Sequence, residues 1–365
     1  MSKPSIAFVA SGRNHFIRTY LEYFHQKGYR VSLISYDVLG ADRSPNYPVY
    51  NVSSGADARK YGTKWRYLLA GLRTRRILKK IKPDILHGHY ATSAGVICLM
   101  SGFRPYIVSA RGSDLIGSMN SRLWRMILGR VFEKSALVHT VSTQLSAKAK
   151  ELNVPQDKLL TLTQGVDTDV FAFKPPAKTC QTPIKLICTR TIDEVYDPET
   201  IVRACRLLND AGISFKLTFA AGGPLEKEVK DLARQAGLDG KIHFMGGYAN
   251  HELPDMLQNH DLYLSASKWD GTSVSLLEAM AVGLFPIVSR IDSNNAWLED
   301  GKTALMFDCG NAHQLAEAIR RATEDNDFRV SAIQSNRQLV IEKADRKMSM
   351  KMLEEVYYKI LSLEQ

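Results

Sequence analysis

The chain holds no stretch that approaches the ~18 consecutive apolar residues of a membrane-spanning helix. Its first apolar run, Ile6–Ala10, is too short for a leader and is followed at once by polar residues, so no secretory signal peptide is read. Cysteine is scarce: the five residues Cys98, Cys180, Cys188, Cys205 and Cys309 are odd in number, scattered, and form no C-x-x-C pair. That excludes a disulfide framework or a thiolate zinc site and implies reduced thiols in a cytoplasmic protein. Low-complexity tracts and short-period repeats are also missing, which excludes solenoids and disordered arrays. Acidic residues are absent from the whole segment 59–82, where ten lysines and arginines stand.

What is present reads as two globular domains. The 365 residues exceed one ordinary core of ~150. Residues 1–172 carry 25 Lys and Arg against 11 Asp and Glu, and the remainder 23 against 27. The first half therefore faces an anionic partner or presents a solvated basic face. Strand-like runs alternate with helix-like segments: Ile6–Ala10, Val31–Ser35, Ile85–His87, Tyr106–Ala110 and Leu137–Val141, with helices over Phe16–Gln26 and Trp65–Lys80. A break at Phe173–Lys178, with two prolines among polar residues, reads as a linker. A second series follows: Ile184–Cys188, Phe215–Ala220, Ile242–Met245, Leu262–Ser265, Phe285–Ser289 and Ala304–Phe307. This order predicts an α/β protein of two Rossmann-like doubly wound domains, 1–172 and 173–345, facing a cleft. An amphipathic helix, 346–365, rejoins the first domain. Ligands bind such sheets at the carboxyl ends of their strands.

The most informative segment runs from Ser265 to Met280. A strand ends at Ser265 and a helix opens near Thr272 and Ser273, good N-cap types. The free N–H groups and positive dipole end of that helix suit a diphosphate, and Gly271 lets backbone approach a ligand. Asp270 stands just before the helix and Glu278 about two turns in. Carboxylates flanking a phosphate site bind hydroxyls, one set on a sugar and one on a ribose. The same spacing also fits an ordinary amphipathic helix with a capping acid.

This segment resembles the acid-x7-Glu motif of glycosyltransferase family 4, with Asp270 where most members carry Glu. The resemblance extends in order along the chain. Pro83–His89 with Gly95 is similar to the family's His-x-His strand end. Arg111-Gly112-Ser113-Asp114 resembles its His-Gly-Ser-Asp loop, with Arg for the usual His. Gln164–Phe171 looks like its Asn-Gly-Val-Asp segment, and Gly222-Gly223-Pro224-Leu225 its glycine-rich donor loop. The resemblance implies a GT-B fold and a retaining transfer from a nucleotide sugar, UDP ranking before GDP. It assigns His89, Arg190 and Asp270 to catalysis and Gly222, Thr272, Ser273, Val274 and Glu278 to the donor. Gly12, His15, Arg111 and Asp114 fall on the acceptor side. One departure stands out: the family's Lys five residues after Arg190 is Val195 here, and Lys268 is the substitute cation by position.

Other patterns carry less. Asp167-Thr168-Asp169 matches a metal signature but lies in a turn before the linker. His87 and His89 share a strand face with no third zinc ligand nearby. No metal or cofactor is therefore expected. The implied partners are the donor, a glycan or lipid-linked acceptor, and an anionic membrane surface on the cytoplasmic side. No nucleic-acid recognition motif accompanies the basic half. The competing readings are a non-catalytic sugar-nucleotide-binding or scaffolding protein of the same fold, which the loss of Lys at Val195 favours, and a GT-B epimerase or phosphorylase.

Overall fold

The computed structural model describes residues 3–37, 46–53, 66–180 and 182–363, with the side chain of His15 outside the description. The first series of runs forms strands β1 Ser5–Ala10, β2 Arg30–Ser35, β3 Val49–Asn51, β4 Ile85–His89, β5 Tyr106–Ala110, β6 Leu137–Thr140 and β7 Leu159–Thr161. They assemble in the order β3-β2-β1-β4-β5-β6-β7, and every pairing is parallel. The second series gives β8 Ile184–Cys188, β9 Phe215–Phe219, β10 Ile242–Phe244, β11 Leu262–Ser265, β12 Phe285–Ser289 and β13 Leu305–Phe307. Their order is β10-β9-β8-β11-β12-β13, again all parallel. Both sheets are doubly wound α/β, as the alternation predicts. Strands such as Ile6–Ala10 are apolar without alternation because helices cover both faces of a parallel sheet.

Each sheet reverses direction once. Strand order turns between β1 and β4 in the first sheet and between β8 and β11 in the second. Doubly wound sheets take ligands at the strands' carboxyl ends beside such switch points.

Residues 1–163 and 349–365 form one compact unit, and 164–348 the other. The break thus falls nine residues before the sequence reading of 172. Gln164–Phe171 is held by the second unit's own helices: Val166 N–H donates to Ala344 O at 2.7 Å, and Arg337 donates to Phe171 O at 3.0 Å. Gly165 permits this with a φ of 73°, for a Cβ there would meet Ala344 O at 2.6 Å. Phe173–Lys178, read as a linker, is a strap on the second unit. Lys174 N–H bonds Val282 O, and the buried Arg329 bonds the carbonyls of Ala177 and Lys178.

The helix Arg346–Leu363 crosses back to the first unit. Its Met350, Leu353, Tyr357 and Ile360 are buried at helical spacing, and Tyr357 stacks on Phe24 at 5.2 Å. Two strands escape sequence reading, β3 and β7. Each is three residues long on a sheet edge, too short to show periodicity.

Candidate active site

The second unit's switch point holds a charged constellation. Arg190 follows β8 and Asp270 follows β11, so neighbouring strands deliver them to one place. Arg190 donates from Nη2 to Asp270 Oδ2 at 2.6 Å and from Nη1 to Ser273 Oγ at 3.2 Å and Ser275 Oγ at 3.0 Å. Its guanidinium lies over the Tyr196 ring at 4.1 Å. Side-chain exposures of 12% and 17% make this a nearly buried pair. Burial is the largest single influence and works against the Arg190 charge, but Asp270 together with Tyr263, Tyr196 and Cys188 outweighs it and the net shift is upward. The Arg190 Nε is buried without a hydrogen-bond partner among the described residues, a donor left open. Asp270 is committed on both oxygens, since Oδ1 accepts the Gly271 N–H at 2.8 Å.

The helix Val274–Val282 begins as the sequence implies: Ser273 caps it, its Oγ accepting the Leu276 N–H. First-turn N–H groups of Val274 and Ser275 lie beyond the intrahelical ladder, next to Arg190. Thr272 sits on the same turn. Glu278, half-buried, is one turn further on. Burial pushes its carboxyl up to about 7, with Arg346 and Arg190 pulling the other way.

Gly222 and Gly223 follow β9. A Cβ on Gly223 would meet Ile192 O at 2.1 Å, so only glycine lets this loop lie against the segment after Arg190. Ile192 N–H donates to Gly222 O at 3.1 Å, fastening the two loops together. Lys268 is exposed, and its N–H donates to Val195 O at 2.8 Å. Its side chain therefore springs from beside the residue that replaces the usual lysine.

The first unit's switch point is built from neutral rings. His87 and His89 share a face of β4 with their rings stacked at 4.3 Å. His87 lies in a fully buried chain: Tyr357 Oη at 2.6 Å from its Nδ1, Ser109 Oγ at 2.7 Å from its Nε2, and Ser109 in turn 2.7 Å from His139 Nδ1. His139 Nε2 lies 2.7 Å from Leu162 O, which can only accept, so the chain has one direction. Tyr357 donates to His87, His87 to Ser109, Ser109 to His139, and His139 to the carbonyl. Burial keeps the imidazoles neutral, pushing His139 down to about 3.

His89 Nδ1 lies 2.7 Å from Arg111 Nη2. Asp114 spends its carboxylate on the N–H groups of Ala91, Arg111 and Gly112, and so clamps the loop after β5 to the turn after β4. Tyr90, next to His89, has a φ of 81° and opens a π-helical turn, a strained geometry that this clamp holds. Gly12 follows β1, and its N–H donates to Ser35 Oγ at 3.0 Å. His15 opens the helix His15–Gln26, which Asn14 caps. Hence the structure links His89, Arg111 and Asp114 directly, while Gly12 and His15 belong to the neighbouring strand end. Asp167 and Asp169 form a turn tied to Lys347, and among the described residues no group of three acidic, His or Cys side chains is placed to hold a metal. Sequence reading missed Tyr196, Ser275, Ser109, His139 and Tyr357. Only Ser275, inside the motif, had a local signal.

The model for glycosyl transferases group 1 matches residues 171–339, and that for glycosyl transferase 4-like proteins matches 5–142. The chain is a family 4-like glycosyltransferase. Among relatives of the transferase is WcaL of Escherichia coli K12, named for colanic acid biosynthesis, 24% identical over 79% of this chain and 77% of that one. Sucrose-phosphate synthase from Thermosynechococcus elongatus superposes with a TM-score of 0.82 at 15% identity, over 99% and 100% of the two chains. Anabaena HepE, in complex with UDP and glucose, gives 0.79 at 13% identity, over 98% and 100%. The transferase therefore shares the GT-B fold of both.

Proposed function

We propose that the transferase moves a sugar, with retention of anomeric configuration, from a nucleotide sugar bound by the second unit to a glycan or lipid-linked acceptor in polysaccharide synthesis. UDP ranks before GDP as the carrier. The observation that carries this reading is the Arg190 guanidinium, held at the switch point with an open Nε beside the N-terminus of the helix Val274–Val282. Breaking the bond between anomeric carbon and phosphate oxygen puts negative charge on the departing diphosphate. Arg190 and the N–H groups of Val274 and Ser275 meet that charge without a solvent reorganisation cost. Glu278 receives ribose hydroxyls and Asp270 hydroxyls of the donor sugar. Asp270 is bound on both oxygens, which disfavours it as a nucleophile and supports proton transfer from the acceptor to the leaving phosphate on the same face.

Lys268 supplies the cation missing at Val195, since its backbone is bonded to that residue. Lys268→Ala should weaken donor binding about twofold to fivefold, as for a partly solvated charge pair, and adding Val195→Lys should restore it. No divalent metal is needed in this scheme. Donor hydrolysis or transfer with a panel of nucleotide sugars tests the whole reading. Activity that persists in EDTA supports it; binding without turnover would make the chain a scaffold, and turnover restored only by magnesium or manganese would overturn the metal-free scheme.

The same reading places the enzyme at the cytoplasmic membrane face, where lipid-linked acceptors lie. In support, the helix Arg66–Ile81 has no acidic residue and leaves Leu68, Leu69 and Leu72 exposed by 45%, 41% and 51%. They stay outside the core in which Ala70 and Leu78 are buried. Arg75, Arg76, Lys79 and Lys80 are exposed around them, each worth ~1 kcal/mol near anionic lipid. Arg73 instead bonds the carbonyls of Val52 and Ser53. Arg59, Lys60, Lys64 and Trp65 of the basic segment lie outside the described residues. The helix Arg122–Lys134 adds Leu123 and Met126, exposed by 59% and 67% and each next to an arginine, Arg122 and Arg125.

A further inference from the structure

Three histidines line the first unit's sheet, and they are not equivalent. Both ring nitrogens of His87 and of His139 are engaged in the chain from Tyr357 to Leu162. His89 is equally buried, 3% exposed, yet its Nε2 has no hydrogen-bond partner among the described residues. A buried polar nitrogen left open costs ~1–3 kcal/mol unless a ligand meets it.

Arg111 decides what that nitrogen is. A guanidinium has only donors, so at 2.7 Å it donates to His89 Nδ1, and Nδ1 carries no proton. The ring proton must then sit on Nε2. The histidine that the family resemblance leads one to expect at 111 could either donate or accept, and would leave the choice open. Arg111 is itself held in place: its guanidinium lies 5.1 Å from the Tyr20 ring centroid, and its backbone N–H bonds Asp114. The Tyr20 ring meets the His89 ring edge-on at 4.7 Å, Phe8 covers it at 5.8 Å, and His87 stacks on it. The charged and titratable groups around His89 are thus Arg111, His87, His139 and Tyr20, and among the described residues no carboxylate acts on the ring.

We propose that Arg111 is a positioning residue that locks His89 as the neutral Nε2–H tautomer, so that His89 serves the transfer as a fixed hydrogen-bond donor to a substrate oxygen and not as a proton acceptor. This rests on the reading of the chain as an active transferase. The ligand atom it fits is an acceptor oxygen, a sugar hydroxyl or a phosphoryl oxygen. Protonation of Nδ1 would set one N–H against another and one positive charge against another. Burial opposes it first, and His87, Arg111 and His139 oppose it further.

The test has a spectroscopic and a kinetic arm. Ring nitrogen resonances of histidine-labelled, substrate-free protein should show His89 as Nε2–H and unchanged from about pH 5.5 to 8.5, well around the ordinary histidine pKa. Arg111→Lys, also donor-only, should keep that pattern, and Arg111→Gln should give a mixture of tautomers. In kinetics, His89→Leu should lower kcat/KM about 10–100-fold, the loss expected for one buried hydrogen bond, and His89→Gln, which still donates, should recover most of it. An Nδ1–H pattern, a His89 titration inside that window, or a His89→Gln variant as poor as His89→Leu overturns the proposal. The spectroscopic arm uses no substrate, so a failure of the transferase reading would appear as absent turnover in the unaltered enzyme with the tautomer intact.

Discussion

The two units share one topology and use it oppositely. Both turn their strand order once, and both place their distinctive side chains at the carboxyl ends beside that turn. In the second unit these are an arginine, an aspartate and a glutamate; in the first they are three imidazoles, a serine and a tyrosine, with Arg111 donating to one imidazole. The second keeps its charge in a nearly buried place by pairing Arg190 with Asp270 at 2.6 Å. In the first, burial drives the imidazoles neutral; a one-way hydrogen-bond chain ending on Leu162 O satisfies His87 and His139, while Arg111 engages only Nδ1 of His89. Topology thus chooses where a ligand goes, and the side chains choose what it is. A site that holds a cation ready suits a diphosphate, and one that fixes neutral donors and acceptors suits hydroxyls.

Removing the cation should break this contrast most severely. Arg190→Ala is expected to lower turnover by about two to three orders of magnitude, the ~2.7–4 kcal/mol of one lost oxyanion-type donor. Steady-state kinetics at saturating nucleotide sugar reads it, and near-normal turnover would move the role to another residue.

Glu278→Gln sharpens the contrast through pH. The carboxyl rises from 4.5 to about 7 on folding. Stability from that shift is present below pH 4.5 and is lost as pH rises through 7, when an unwelcome charge forms in a half-buried place. The variant should therefore melt higher than the unaltered protein at pH 8, by on the order of 1–3 kcal/mol, with the gain shrinking toward pH 5. Binding of a nucleotide sugar should behave the other way. In the unaltered protein it should tighten from pH 6 to 8 as the carboxylate becomes available to ribose hydroxyls, and in the variant it should be weaker and flat.

The neutral network should matter to stability. Tyr357→Phe leaves His87 Nδ1 buried without a donor and should cost about 1–3 kcal/mol, read from the denaturant midpoint. The smallest stability effect is expected on the surface. Leu68→Ser, Leu69→Ser and Leu72→Ser should each shift stability within about 0.5 kcal/mol. Together they should nonetheless abolish flotation with phosphatidylglycerol vesicles, which salt should also weaken; vesicle binding unaffected by both would remove the membrane from the account.

Much of this was legible in sequence for physical reasons. Apolar strands covered on both faces announce themselves as runs, and the Ser273 cap, the Gly271 turn and the acid pair lie within one segment. Arg190 and Asp270 are eighty residues apart, yet each sits just after a readable strand, and the motif order ties them. What stayed hidden depended on distance or length. Tyr357 meets His87 across 270 positions, from a helix whose spacing shows only that it is amphipathic. Edge strands of three residues leave no period. The prolines at Phe173–Lys178 suggested a linker because they break structure locally, and no sequence signal shows that Arg329 fastens that segment down.

The central claim is that the second unit's switch point binds the donor through Arg190 and Glu278. Calorimetric titration of UDP and of GDP into the unaltered protein, Arg190→Ala and Glu278→Gln tests it most directly. The account predicts binding of one nucleotide by the unaltered protein, at least tenfold weaker in each variant, as expected for the loss of a charge-assisted or buried hydrogen bond. Equal affinity in all three proteins would contradict it.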